Sequence, residues 1–107
     1  MACVGLMLAV VGLSMSGRDV QASSMDGCPE LIVETFGERA PQACSVAACE
    51  TGGTFDPYAT GRAGEKGWFQ IHPIHGWRSS YDPEVNVAYA YELSRGGWNW
   101  SHWSCKP

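Results

Sequence analysis

Cys49-Glu50-Thr51-Gly52-Gly53-Thr54-Phe55-Asp56-Pro57-Tyr58-Ala59, followed after a polar interval by Gly64-Glu65-Lys66-Gly67-Trp68-Phe69-Gln70-Ile71, is the stretch on which the fold turns. Before it, Ala43, Cys44, Val46, Ala47 and Ala48 are small and mostly helix-forming, whereas Gly52 and Gly53 are the residues that end helices. Glu50 is therefore expected in a last helical turn, at the negative end of the helix dipole, where ionisation is disfavoured. Desolvation by Phe55, Tyr58, Trp68 and Phe69 acts in the same direction. A carboxyl that keeps its proton near neutral pH is what general acid chemistry requires.

The same residues carry a resemblance. Glu50-Thr51-Gly52-Gly53, then Asp56-Pro57-Tyr58-Ala59, then Gly64 and Gly67-Trp68-Phe69-Gln70-Ile71 resemble the Glu-Ser-Gly-Gly to Gly-Leu-Phe-Gln-Ile signature of the lysozyme-like soluble lytic transglycosylases, a group related to goose-type lysozymes. The resemblance covers about Pro29 to Cys105. It implies a small lysozyme-like fold, α+β but mainly α, with a short β-hairpin or loop region beside the catalytic helix. It implies cleavage of the β-1,4 bond between N-acetylmuramic acid and N-acetylglucosamine in peptidoglycan glycan strands, with Glu50 as catalytic acid and base. Thr51, Tyr58, Phe69 and Gln70 of the signature are expected at the sugar. The chain departs from longer members in lacking their later Ala-Tyr-Asn motif, so the sugar contacts made there are either missing or made by the Trp-rich tail.

That tail, Gly97-Trp98-Asn99-Trp100-Ser101-His102-Trp103-Ser104-Cys105, places three Trp in six residues. Pyranose C–H faces stack on aromatic rings, and the indole N–H adds a donor. Trp100 is expected to bind substrate; the competing reading is that one or two of the three, Trp98 foremost, fill the core of a small domain.

Composition sets the frame. One hundred and seven residues, 45% hydrophobic and 17% charged, are those of one small globular domain, expected to act as a monomer. Residues 2–15 form an apolar run too short to span a bilayer, and Val20-Gln21-Ala22 offers a small-residue cleavage site, so residues 1–22 are expected to be a secretory signal peptide. A retained anchor or a buried N-terminal helix is the alternative, and no Lys or Arg precedes the run. Processing would leave residues 23–107 as the catalytic domain, secreted or cell-wall associated, with no stable membrane anchor. That segment carries six basic and ten acidic residues, net −4, which argues against nucleic acid as partner.

Four cysteines remain, Cys28, Cys44, Cys49 and Cys105, an even number in a small secreted domain. Three pairings are possible, of which Cys44 with Cys49 is poor because the two lie on different faces of one helix. Relatives with a Cys just before the catalytic Glu join it to a Cys after a Trp-rich end. The resemblance thus implies Cys49–Cys105, leaving Cys28–Cys44. Zinc is a weak reading, since no Cys-x-x-Cys occurs. His72 and His75 form a His-x-x-His pair, but without helical context or a third ligand; no metal or other cofactor is expected.

Helices are expected from Pro29 to about Glu38, broken by Ala40-Pro41; from Pro41 to Glu50; and from Asp82-Pro83 to Gly96-Gly97, with Asp82 as N-cap. The face Asn86, Tyr89, Ala90, Leu93 and Gly97 points inward, so Asn86 must be hydrogen-bonded and is expected to tie its helix to the loop carrying Gln70. Between Gly52 and Trp77 a loop and small hairpin are expected, with residues 62–67 as a polar tip.

An inverting hydrolase needs a second carboxylate across the bond and a retaining one a nucleophile closer in. Asp56 reads as a turn-former, Glu65 as part of the polar tip and Asp82 as a cap, so a single-carboxylate transglycosylase is expected. In that route Glu50 protonates the leaving oxygen and then helps the muramyl C6 hydroxyl close a 1,6-anhydro ring. A true hydrolase and a non-catalytic glycan-binding or inhibitor module are the alternatives.

Overall fold

The computed structural model describes residues 25–107; the expected signal segment at 1–22 lies outside them. The chain is mainly helical. Helix α1 is Glu30–Phe36, α2 is Ala40–Glu50 and α3 is Pro83–Leu93, with short 3-10 helices at Gly37–Arg39 and Pro73–Arg78. The expected hairpin reduces to two isolated antiparallel bridges, Thr60 with Lys66 and Lys66 with Ile71. Among the described residues no helix is long and apolar enough to cross a membrane.

The break between α1 and α2 lies earlier than expected. Gly37, not Ala40-Pro41, is the cap, with φ of 55° and its N–H donating to the Val33 carbonyl. Glycine enters the left-handed region without a Cβ penalty. Pro41 falls in the first turn of α2, where its missing N–H has no intrahelical partner to lose. The two helices pack through small residues, with Ala40, Ala43, Cys44, Val46 and Ala47 of α2 buried against Ile32 and Phe36 of α1. Cys28–Cys44 ties the start of α1 to the middle of α2.

Helix α3 starts as its sequence dictates. Asp82 Oδ1 accepts from the Glu84 N–H at 3.0 Å, and Pro83 follows at the first helical position. The helix ends at Leu93, sooner than Gly96-Gly97, because the Ser94 N–H closes the last α-turn on Ala90 and the Gly96 N–H reaches back to Tyr91. Asn86, 1% exposed, accepts from the Phe69 N–H at 2.9 Å and donates to the carbonyls of Lys66 and Ser80. One buried side chain therefore fixes the loop before Gln70 to α3. Gly67 is obligatory there, since a Cβ would stand 2.5 Å from Asn86 Nδ2.

The core is aromatic, and the tail completes it. Phe69 stacks with Trp100 and meets Trp103 edge-on, and Phe36 lies 5.8 Å from Trp100 between ring centroids. Both buried indoles are satisfied: Trp100 Nε1 donates to Gly97 O and Trp103 Nε1 to Phe69 O. Trp98 is the exposed one, at 67%, with the Arg39 guanidinium 3.9 Å over its ring. The expectation is thereby inverted. Trp100, at 6% exposure, is a core residue and Trp98 is not, because the chain reverses at Gly96-Gly97 and turns the later indoles inward.

Candidate active site

Helix α2 stops at Glu50 by a two-glycine device. The Gly53 N–H donates to the Ala48 carbonyl at 2.7 Å and the Gly52 N–H to Cys49 at 3.2 Å, with both glycines at positive φ. This is the Schellman arrangement, which satisfies the last carbonyls of a helix. The Thr51 hydroxyl donates to Ala47 O and accepts from the Phe55 N–H, clamping the exit loop. Glu50 is left on the final turn at the wall of a cleft of about 180 Å³.

The tail closes one side of that cleft. Cys49–Cys105 brings the C-terminal segment beside the helix end, and the Cys105 N–H donates to Glu50 Oε2 at 3.2 Å. Trp103 and Ser104 of the tail line the cleft, with His102. Burial is the main cause that holds the Glu50 carboxyl above its ordinary 4.5; the Cys105 N–H opposes it, the Glu65 charge adds to it, and Lys106 opposes it. The direction expected from the sequence holds, but the bordering aromatic is Trp103, not Phe55, Tyr58, Trp68 or Phe69.

No family model, curated protein or solved structure matches this chain. The site is therefore read from its own geometry.

Of the residues expected at a sugar, Gln70 lines the cleft with Glu50. It is held at φ of 47°, with Nε2 donating to the carbonyls of Ala59 and Gly67. Phe69 and Trp100 are corrected to core positions, their side chains too buried to wall a groove. Thr51 is buried and occupied in the helix exit. Tyr58 is 73% exposed but stands off the cleft beside Tyr81, ring centroids 6.0 Å apart.

Five polar residues of the cleft were not singled out by the sequence as site residues: Glu65, His72, His75, His102 and Ser104. Glu65 is the correction that matters. It is not at a tip; the Gly61 N–H donates to its carbonyl and the bridged Lys66 follows, so it lies at the base of the turn and faces the cleft. His72 and His75 do not converge on a metal: His72 Nδ1 accepts from the Ile74 N–H, and His75 Nδ1 is 2.7 Å from the Tyr89 hydroxyl. Among the described residues no cluster of three or more His, Cys, Asp or Glu side chains is arranged to hold a metal ion. Asp56 accepts from the Tyr58 N–H in a local turn, as its position before Pro57 predicts.

Proposed function

We propose that this chain is a glycosidase acting on the β-1,4 bond between N-acetylmuramic acid and N-acetylglucosamine in peptidoglycan, on a lysozyme-like fold. One observation carries the reading. Glu50 is a half-buried carboxyl at a helix end on a cleft wall, biased toward its protonated form by burial. Such a group donates a proton to a glycosidic oxygen at a pH where an ordinary carboxyl is ionised. The sequence resemblance supports the substrate, and the presence of Gln70 in the same cleft as Glu50 supports a sugar contact there. Two disulfides in so small a chain suit an oxidising, extracellular compartment, so the enzyme is proposed to be secreted.

If Glu50 acts alone, the route is the transglycosylase one: Glu50 protonates the leaving oxygen and, now a base, draws the proton from the muramyl C6 hydroxyl as the 1,6-anhydro ring closes. A second reading, hydrolysis, is favoured by the position of Glu65 in the same cleft. The test of the common reading is release of muropeptides from purified peptidoglycan by the oxidised protein and by Glu50→Gln. The variant is expected to lose at least about 100-fold in rate, the scale of a general acid. Release at the wild-type rate would remove Glu50 from the mechanism, and a chain that binds glycan strands without releasing product is a binding module.

A further inference from the structure

The oxygens around Gly61 are arranged without need of its backbone freedom. Its φ is not positive, so any residue could adopt this backbone, yet a Cβ here would fall within van der Waals overlap of Glu65 Oε1, 2.7 Å from Gln70 Oε1 and 3.0 Å from Glu65 Cδ. The space of one missing methyl group is thus what admits the Glu65 carboxylate and the Gln70 carbonyl side by side. The Ala63 N–H, 2.9 Å from Glu65 Oε1, holds that oxygen in place, and no Lys or Arg among the described residues forms an ion pair with it. Gln70 spends its amide donor on Ala59 O and Gly67 O, which leaves Oε1 as an acceptor. Glu65 and Gln70 both line the cleft with Glu50, so their oxygens are acceptors for a water that enters it.

We infer that Glu65 is a second catalytic carboxylate of this cleft, admitted by Gly61 and held by the Ala63 N–H, and that it directs the cleavage to water. The inference rests on the glycosidase reading above and decides its acceptor. Glu50 gives its proton to the glycosidic oxygen; the C1–O bond breaks and its electron pair stays on the departing N-acetylglucosamine O4. The oxygen of water forms the new bond to C1 while Glu65 takes the proton it releases. One water is consumed, and the proton on Glu65 passes through solvent to restore Glu50. The ionised Glu65 also favours the positive charge that develops on the sugar ring, and its like charge helps keep Glu50 protonated.

Wild type, Glu65→Gln, Gly61→Ala and Glu50→Gln are compared on purified peptidoglycan by mass spectrometry of products with and without borohydride reduction, and by rate against pH. Wild type is expected to release reducible ends. Glu65→Gln is expected to lose about 100-fold or more in rate while still sedimenting with the glycan. Gly61→Ala, which displaces only the flexible end of Glu65 and the Gln70 amide, is expected to lose rate at an unchanged melting temperature. Residual activity of Glu65→Gln should have its alkaline limb moved to lower pH, because Glu50 has lost a like charge. Gly61→Ala keeps that charge but changes its distance from Glu50, so its limb is expected to move too; a merely structural role for Gly61 would leave it in place. Products lighter by one water that cannot be reduced, or a Glu65→Gln variant at the wild-type rate, would overturn the inference while leaving Glu50 as the acid. No product from wild type would overturn the glycosidase reading and this inference with it.

Discussion

At the scale of the residue, Glu50 combines three environments: a capped helix end, a cleft wall that Trp103 also lines, and a second carboxylate, Glu65, in the same cleft. Burial is the largest cause of its raised value. The sign of the consequence for stability follows directly. Between the ordinary 4.5 and the raised value the folded chain holds more protons than the unfolded one, so stability falls as pH rises through that window and stays lower above it. Glu50→Gln keeps an acceptor for the Cys105 N–H and cannot ionise. Its melting temperature is expected to match wild type well below pH 4.5 and to equal or exceed it at pH 7; a marked loss at pH 7 would show that the ionised carboxylate stabilises the fold. Activity in wild type is expected to fall as pH rises through the raised value, since the acid then lacks its proton.

At the scale of the element, Asn86 joins helix to loop. Its three hydrogen bonds reach Phe69, Lys66 and Ser80, so Asn86→Ala leaves the Phe69 N–H and the Ser80 carbonyl without this partner, while Lys66 O keeps the Ile71 N–H. With a buried unsatisfied group costing about 1–3 kcal/mol, the loss is expected to be about 3 kcal/mol, measured by urea unfolding, and activity should fall further because Gln70 and Glu65 are carried by the same loop. A loss under about 1 kcal/mol would mean that water replaces the side chain. This tie was legible in sequence, as were the Asp82 cap and the Gly52-Gly53 stop, because each follows from a local rule: an inward Asn on an apolar face, a capping Asp before Pro, two glycines after a helix former. The place of Glu65 was not. It depends on a fold-back whose register is set by Lys66 bridging both Thr60 and Ile71 and on a gap at Gly61, none of which has a periodic signature. The Trp pattern failed for a related reason: three indoles in six residues fix composition, and only the reversal after α3 selects Trp100 and Trp103 for the core and leaves Trp98 under Arg39.

At the scale of the molecule, the two disulfides do different things. Cys28–Cys44 spans 16 positions within the helical pair, whereas Cys49–Cys105 spans 56 and fastens the tail over the site. In the loop-entropy account the first contributes about 3 kcal/mol and the second about 4. Replacing Cys28 and Cys44 by Ser is therefore expected to lower the melting temperature while leaving the pH dependence of activity in place at temperatures where the variant is folded. Replacing Cys49 and Cys105 should lower it more and also change the chemistry. Trp103 stays bonded to Phe69 O in the core, but release of the tail beyond it withdraws Ser104 and uncovers Glu50, and removes the Cys105 N–H, which favours its ionised form. Burial outweighs that hydrogen bond, so losing both moves the carboxyl down toward 4.5 and shifts the alkaline limb of activity to lower pH. Rate against pH for the two double variants separates the effects: an alkaline limb that moves only when Cys49 and Cys105 are lost assigns to the tail the tuning of Glu50, and equal limbs in both would confine that disulfide to stability.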